Sequence, residues 1–423
     1  MEPSSAAQVL RAHVHRVMRL NLRTGHDHAL RFDYRFLCPS PHEYYSQWFW
    51  DSCFHAIAIA HVDPAHAVAE LRTTIAMQEP DGFIGHMNFW GASWFSPRNV
   101  LAYLQGPVGK RLRHTLLIQP PMLAQAVESV AHTTRDPRLV ARFLPALDRY
   151  HAWLEENRTP DRDGLLVIVS PYESGMDQSP TYDVPVGLTG RAGYWRLGYR
   201  DRLLDLHNYR AEYNLKSLFA KKRFYVKDSL VNALYADSLA TMARLHNAAG
   251  KPDVANLYDT KAGHVAASVL EKMWDRSRAA FFTLYGANER RTQPLTVGGL
   301  VPLIMPTLPR DVAQLIVERQ LLDPKTFGLR YPVPSVAASE PTFNPRSAGT
   351  IWRGPTWVNT NWLVWRGLRR HGFREQAKNL AERTINMVSQ NGLWEYYHPV
   401  TGQGEGAKDF GWSALALDML LNE

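Results

Sequence analysis

The connections between predicted helices alternate in length, and this alternation limits the fold more than any other feature of the sequence. Helical periodicity and capping residues predict about twelve helices. Their predicted ranges are residues 5–22, 50–61, 64–79, 119–132, 137–157, 227–249, 252–274, 296–304, 309–321, 356–370, 373–390 and 411–422. Tight turns join the second helix to the third, the fourth to the fifth and so on, whereas a long segment precedes every even-numbered helix. Six helical hairpins in a ring would have such connections, so we predict an all-α (α/α)6 barrel with the even-numbered helices inside and long loops over one mouth.

Individual helix boundaries support this count. Asp63-Pro64 predicts a helix start, because aspartate is a good N-cap and proline a good first residue. Gly372 predicts the break between the tenth and eleventh helices. Short apolar stretches at residues 165–169 and 280–285 are the candidates for strands.

No linker or repeat divides the 423 residues, a length that suits one large domain or two smaller ones. We predict a single domain over residues 1–423, with segments near 82–118 and 186–226 as lids over the mouth. Cys38 and Cys53 have neither metal-site spacing nor a disulfide pattern. The N-terminus lacks a signal-peptide pattern and no run of about 18 apolar residues occurs, so we expect a cytoplasmic protein without a membrane partner.

The chain is basic, with a formal charge of +8 and its densest cluster at Lys221-Lys222-Arg223. No nucleic-acid-binding motif accompanies this cluster, so a nucleic-acid partner is not expected. Two interpretations remain open, a solvated basic surface and a pocket that attracts an anionic small molecule. A homo-oligomer is compatible with the sequence, which does not determine the oligomeric state.

Tryptophan is unusually abundant, with 13 residues, and most of them fall in the long loops. Nine lie in or at the ends of these loops: Trp48, Trp50, Trp90, Trp94, Trp195, Trp352, Trp357, Trp394 and Trp412. Aromatic rings and acids that converge on one mouth predict a pocket for a ring-shaped ligand such as a sugar. The N-termini of the inner helices would face the same mouth and favour an anionic ligand.

Acidic residues in the same loops suit glycoside hydrolysis, which needs two carboxyl groups across one bond. The candidates are Asp51, Glu173, Asp177, Asp228, Glu340, Glu395, Glu405 and Asp409. Spacing does not choose among them, since each could instead cap a backbone amide or pair with an arginine. Asp51 alone could equally cap the helix that follows it, Gln119 could be a turn residue, and His86 could be structural.

Four segments, in this order, resemble glycoside hydrolase family 63. They are "QWFWDSCFHAI" from residue 47, "SPYESGMDQSP" from 170, "IWRGPTWVNTNWL" from 351 and "WEYYHPVTGQGEG" from 394. Within that family the chain looks most like the short bacterial mannosylglycerate and glucosylglycerate hydrolases, from about residue 44 to the C-terminus. The resemblance implies an (α/α)6 barrel, an inverting α-glycosidase activity, and no metal or organic cofactor.

The resemblance also implies roles for individual residues. The family's general acid falls on Asp177 and its general base on Glu395. Positions that shape the sugar site fall on Tyr44, Trp48, Trp50, Asp51, Gln119, Tyr172, Gly175, Trp352 and Trp357. Tyr172 stands where many relatives carry tryptophan, and Ile351 stands where an aromatic residue is common. Both departures affect the identity of the sugar and leaving group rather than the reaction.

The segment from 186 to 223 follows the implied general acid and holds nine Lys and Arg residues against three acids. Relatives bind a glycerate carboxylate with an arginine and a tyrosine several residues later. The loose match here is Arg202 with Tyr209, and Arg210 is the alternative arginine. The segment could instead be a basic surface helix.

Together these observations predict an enzyme that hydrolyses α-glucosyl- or α-mannosyl-D-glycerate, a small anionic glycoside. The nearest alternative is a family 63 α-glucosidase that acts on neutral gluco-oligosaccharides. A non-catalytic sugar-binding barrel is the alternative from another class. A terpene-cyclase barrel is disfavoured, because the sequence has no D-D-x-x-D cluster.

Overall fold

The computed structural model describes residues 3–91, 113–188, 193–346 and 350–423, and most of these residues are helical. Trp94 and most of the predicted lid at 82–118 lie outside these ranges. The α-helices are α1 (Pro3–Asn21), α2 (Phe49–Ile59), α3 (Pro64–Ala76), α4 (Leu123–Thr134), α5 (Arg138–Arg158), α6 (Tyr194–Arg210), α7 (Leu215–Lys221), α8 (Ser229–Ala248), α9 (Pro252–Met273), α10 (Arg310–Ile316), α11 (Val358–Arg370), α12 (Arg374–Asn391) and α13 (Leu415–Asn422). A π-helical turn, Val317–Leu321, continues α10.

The strands are short and form small antiparallel sheets. They are β1 (Leu22–Asp27), β2 (Phe32–Leu37), β3 (Gln47–Trp48), β4 (Met87–Asn88), β5 (Val226–Lys227), β6 (Trp274–Asp275), β7 (Ala280–Phe281), β8 (Leu284–Tyr285), β9 (Arg290–Arg291), β10 (Trp394–Tyr397) and β11 (Gly404–Lys408). The predicted strand region at 280–285 holds β7 and β8, whereas 165–169 contributes only one isolated bridge, from Ile168 to Val226. The hairpin of β1 and β2 was not predicted, because β1 lacks the alternation of buried and exposed residues that marks a strand.

The predicted capping signals are confirmed. Asp63 Oδ1 accepts a hydrogen bond from His66 N at 3.0 Å and caps α3. Gly372 adopts φ +79° between α11 and α12, a left-handed conformation that side chains with a Cβ rarely adopt. An aspartate cap of this kind stabilises a helix by about 0.5–2 kcal/mol relative to alanine.

Two predictions of local structure were wrong. The helix predicted at 296–304 is a pair of 3-10 turns, Val297–Gly299 and Val301–Ile304. Gly298 and Gly299 weaken a regular helix through their backbone entropy, and Pro302 removes a donor. The segment expected as a lid loop contains two helices, α6 and α7, and Asn214 caps α7 by accepting from Ser217 N at 2.9 Å.

Six segments contact one another in a closed cycle. In order they are α2, α4, α8, the turn Val301–Ile304, α11 and α13, and α13 contacts α2 again. These are the six even-numbered helices of the sequence prediction. Residues of α2 are buried at every position, and those of α8 at nearly every position. Four of these segments pack against the helix that follows them in the chain, α3, α5, α9 and α12.

One large hydrophobic cluster runs through these helices, and a smaller cluster packs α7 and the turn before it against the loops at Leu117 and Val169. The smaller cluster consists of Leu117, Val169, Tyr213 and Leu218, with Tyr172 packed against it. Full burial of such side chains stabilises the fold by about 1.5–3 kcal/mol each. Among the described residues, no helix combines the length and apolar character required to cross a membrane.

Candidate active site

The start of α2 carries the first group of predicted site residues. Trp48 lies in β3, which pairs with β4, and is the residue immediately before α2. Asp51 lies inside α2 rather than at its N-cap, so the capping interpretation is wrong. Gln119 is not a simple turn residue, because its Oε1 accepts a hydrogen bond from Trp50 N at 3.0 Å and joins two of the loops. Burial raises the pKa of Asp51 well above its ordinary value.

His86 is a buried residue beside this group. Its Nδ1 is hydrogen-bonded to Thr115 Oγ1, and its ring meets the Trp48 ring edge-on with centroids 5.2 Å apart. Burial lowers the pKa of His86 to about 3, so the imidazole is neutral. This agrees with a structural histidine that supports Trp48.

Glu395 lies in β10 and is held at both carboxyl oxygens. Tyr44 Oη donates to Oε1 at 3.2 Å, and Ala407 N donates to Oε2 at 3.0 Å. Gly406 adopts φ +72°, and a Cβ there would lie 2.6 Å from Glu395 Oε2, so only glycine fits. Burial, helped by the charges of Glu43 and Asp177, raises the pKa of Glu395 to about 7.

Asp177 lies three residues after the 3-10 turn Pro171–Ser174 and is far from Glu395 in the sequence. Gly175, at φ +70°, passes so close to Trp50 that a Cβ would lie 2.3 Å from its ring. Burial raises the pKa of Asp177 to about 6. Within the described residues, no donor from another residue hydrogen-bonds its carboxyl group. The charge of Asp177 contributes to the raised pKa of Glu395, so the two carboxyl groups interact.

Four of the other acidic candidates have structural partners. Glu173 pairs with Arg158, Asp228 accepts from Tyr182 Oη and caps α8, Glu340 pairs with Arg278, and Asp409 pairs with Arg16. These are the capping and pairing roles that acidic loop residues commonly have. The other four candidates, Asp51, Asp177, Glu395 and Glu405, have no cationic hydrogen-bonding partner among the described residues, and neither does Asp228.

The aromatic residues of the mouth form a connected group. Trp352 and Trp357 stack with ring centroids 3.6 Å apart, and Trp357 meets Trp412 at 5.6 Å. Trp412 also contacts Trp50, and its Nε1 donates to the Glu395 backbone oxygen at 3.0 Å. Sequence analysis placed Trp412 among the loop tryptophans but did not select it as a site residue. Its indole N–H gives it a role in holding β10.

Burial separates the aromatic residues into two classes. Trp50, Trp352 and Trp357 are almost fully buried by their neighbours, so their rings support the pocket wall rather than offer a free stacking face. Tyr44, Trp48 and Tyr172 keep partly exposed side chains. A sugar ring would therefore find its aromatic contacts among these three residues.

The helix α6 buries one of its faces and exposes the residues predicted to bind a carboxylate. Leu197, Asp201, Leu204 and Asn208 are buried at helical spacing, and Asn208 Nδ2 donates to Val169 O at 2.9 Å. Arg202 and Arg210 are exposed, and Tyr209 is 67% exposed. The structure therefore does not bring Arg202 and Tyr209 together as a buried pair.

Asp201 is the site residue that sequence reasoning missed. It is 7% exposed, and burial together with the charges of Asp177, Asp205 and Asp183 raises its pKa to about 8. Arg353 partly offsets this effect and is paired with Asp183 at 3.1 Å. The spacing of Leu197, Asp201 and Leu204, four residues and then three along one helix face, was the signal that would have found it.

Comparisons with known proteins agree on one family. A family model described as the mannosylglycerate hydrolase MGH1-like glycoside hydrolase domain matches residues 44–413. A mannosylglycerate hydrolase from Thermus thermophilus is 33% identical over 419 residues, which covers 90% of this chain and 96% of that protein. A glucosylglycerate hydrolase from Mycolicibacterium hassiacum is 29% identical over 417 residues, which covers 89% of this chain and 92% of that protein.

A solved structure extends the similarity to three dimensions. The crystal structure of a family 63 mannosylglycerate hydrolase from Thermus thermophilus, in complex with Tris and D-glycerate, superposes with a TM-score of 0.81. It is 28% identical, and the match covers 98% of this chain and 100% of that chain.

Proposed function

This chain belongs to the mannosylglycerate hydrolase MGH1-like glycoside hydrolase family, and we propose on that premise that it hydrolyses α-mannosyl- or α-glucosyl-D-glycerate with inversion. The observation that carries this proposal is the interaction of two carboxyl groups, the partly exposed Asp177 and the buried Glu395, at the aromatic-lined mouth. Both have raised pKa values, near 6 and 7, which suit proton transfer at neutral pH. The similarity to hydrolases of both glycosides supports the substrate class.

In the proposed reaction Asp177 is the general acid and Glu395 the general base. Glu395 removes a proton from a water molecule, whose oxygen attacks the anomeric carbon from the face opposite the leaving group. The bond between that carbon and the glycosidic oxygen breaks, and Asp177 gives its proton to the departing oxygen. One displacement leaves a β-sugar and glycerate; Glu395 then gives its new proton to solvent and Asp177 takes one up, which restores the starting state. Inverting enzymes hold the two carboxyl groups about 6.5–9.5 Å apart, which leaves room for the water.

The hydrogen bonds around the two carboxyl groups support this division of roles. Glu395 accepts from Tyr44 Oη and Ala407 N, and donors of this kind favour the ionised form that a base requires. Asp177 has no such donor from another described residue, so burial favours its protonated form. Tyr44 thereby both orients the base and borders the sugar pocket.

For the leaving group we propose Arg202 as the ligand of the glycerate carboxylate, with Arg210 and Tyr209 as the other candidates on α6. The charge of Arg202 acts on Tyr172 and Asp205, which supports a position near the mouth. An α-glucosidase acting on neutral glycosides is the second candidate, because Asp201, Asp183 and Asp205 give this side of the pocket an acidic character.

We also propose that the fold is an (α/α)6 barrel formed by a single catalytic domain over residues 1–423, in which α6 and α7 belong to a lid. The closed cycle of inner segments and the one large hydrophobic cluster support this arrangement. A cytoplasmic location is part of the proposal and is compatible with two buried, unpaired cysteines, Cys38 and Cys53.

Product analysis tests the proposed function directly. Mannosylglycerate, glucosylglycerate and the neutral disaccharide kojibiose are incubated in parallel, and the released sugar is measured. We expect release from a glycerate glycoside, with the β anomer formed first when the reaction is followed by NMR. Release from kojibiose alone would favour the neutral α-glucosidase, and initial formation of the α anomer would contradict the inverting mechanism.

The pH dependence of kcat/KM should be bell-shaped, with limbs near pH 6 and pH 7. Below the lower pKa both carboxyl groups are protonated and no base is available. Above the higher pKa both are ionised and no acid is available. The active enzyme carries one proton on the pair, so the two limbs belong to the pair rather than to either residue. A kcat/KM that stays constant through both values would contradict the assignment.

The order of the two pKa values in the free protein is the reverse of the proposed roles. The higher pKa of Glu395 places the single proton more often on Glu395 than on Asp177. A bound substrate shifts this balance, because its glycosidic oxygen accepts a hydrogen bond from protonated Asp177 and the attacking water donates one to ionised Glu395. We therefore expect the alkaline limb to lie at higher pH in kcat than in kcat/KM.

A further inference from the structure

Glu173 is a fully buried carboxylate that accepts hydrogen bonds from three parts of the chain. Arg158 donates to both of its oxygens, from Nη2 at 2.6 Å and from Nη1 at 3.0 Å. Val169 N donates at 2.7 Å, and Ile118 N donates at 2.9 Å. Every acceptor position of a carboxylate in this geometry is thus used, and the group is held rigidly.

These contacts connect the segments that carry the candidate site residues. Arg158 is the last residue of α5, and Val169 begins the loop that leads to Asp177. Ile118 precedes Gln119, whose side chain accepts from Trp50 N. These contacts form a closed circuit of residues, because Gly175, in the segment that leads to Asp177, packs against the ring of Trp50. A shift of Glu173 would therefore move the loop that carries Asp177.

The position of the Asp177 carboxyl group depends on this circuit, whereas Glu395 is held by its own hydrogen bonds. Glu395 is fixed by hydrogen bonds to both carboxyl oxygens, whereas Asp177 accepts none from another described residue. The position of the Asp177 carboxyl group is therefore set by its backbone. That backbone is anchored four residues earlier by Glu173.

We propose that the Glu173–Arg158 pair is a positioning element for the general acid, which fixes Asp177 at the distance that proton donation to the leaving oxygen requires. This inference rests on the proposed function, since it needs Asp177 to act as the acid. Glu173 itself is too deeply buried to touch substrate. A displacement of about 1 Å in a catalytic group can cost on the order of 10²-fold in rate, so the effect is measurable.

The test compares two leaving groups. The glycerate glycoside needs a proton on its departing oxygen, whereas the corresponding α-glycosyl fluoride releases fluoride, which needs little acid assistance. Glu173→Gln should lower kcat on the glycoside by about 10- to 100-fold, and leave hydrolysis of the fluoride nearly unchanged. KM for both should change little, because the sugar contacts remain. Equal losses on both substrates, or no loss on either, would overturn the inference.

A matched control separates positioning from loss of stability. Asp237, in α8, is equally buried. Its carboxyl group pairs at 2.7 Å with Arg370, the last residue of α11, away from the candidate site. Asp237→Asn should lower Tm as Glu173→Gln does, but leave the ratio of the two rates unchanged. A similar change of the ratio in Asp237→Asn would overturn the inference by showing that the ratio reports general loosening.

Arg158→Lys gives a second test that does not require the glutamine variant to fold. Lysine keeps the positive charge beside Glu173 but loses the two-pronged contact, so it should change the rate ratio in the same direction. An unchanged ratio in a folded Arg158→Lys protein would also count against the inference. A wild-type protein that cleaves neither substrate would instead overturn the proposed function.

Discussion

Asp177→Ala should reduce kcat on the glycerate glycoside by about 10²–10⁴-fold, the range that general acid assistance usually contributes. The variant lacks the only group proposed to protonate the departing oxygen. Steady-state kinetics on the purified variant measures the effect, with Tm as a check that the fold is intact. Because no other described residue donates a hydrogen bond to the Asp177 carboxyl group, its removal should leave Tm nearly unchanged.

The α-glycosyl fluoride supplies the control for this prediction. Asp177→Ala should retain most of its activity on the fluoride, whose leaving group needs little protonation. Near wild-type kcat on the glycoside would remove Asp177 from the acid role. Asp51 and Glu405, two other acidic candidates of the mouth without a cationic hydrogen-bonding partner among the described residues, would then be tested in the same way.

Glu395→Ala should also lower kcat by about 10²–10⁴-fold, but for both leaving groups, because activation of water is needed in each reaction. The space left by the side chain admits a small anion. Sodium azide should therefore attack without a base, restore turnover on the fluoride and give the β-glycosyl azide. Product identification by NMR and mass spectrometry measures this result.

Two outcomes would contradict the role of Glu395. Formation of the α-azide would indicate two successive displacements, and thus a retaining mechanism in which another carboxyl group is the nucleophile. Full activity of Glu395→Ala without azide would show that another group activates the water. Tyr44→Phe is a useful companion variant, because it removes the 3.2 Å hydrogen bond to Oε1 while keeping the ring. We expect it to raise the pKa of Glu395, the higher of the two, and move the alkaline limb of kcat/KM to higher pH.

Local signals in the sequence were enough to predict most of the helices. Asp63 before Pro64 and the left-handed Gly372 act through their own backbone and nearest neighbours, so their effect does not depend on the rest of the fold. The wrongly predicted helix at 296–304 and the unpredicted β1–β2 hairpin both lie where the local residue pattern is misleading. The 296–304 segment is apolar enough for a helix but contains two glycines and a proline, and β1 forms a strand by pairing with β2 without an alternating pattern.

The catalytic assignment required more than local signals. Glu173 and Asp177 lie four residues apart in one loop, and spacing alone did not separate them. The family resemblance placed the acid on Asp177. The structure adds a physical reason. Glu173 forms an ion pair with Arg158, whereas Asp177 has no such partner among the described residues.

The sequence by itself determined the helical hairpins and the set of loops that carry acids and aromatic rings, since these depend on residue type and order. Only the tertiary structure decided which side chains in those loops reach the pocket. Trp352 and Trp357 bury each other, and α6 turns Asp201 inward and Arg202 outward. The physical reason is that burial and pairing depend on neighbours from distant parts of the chain, and no spacing within one segment specifies them.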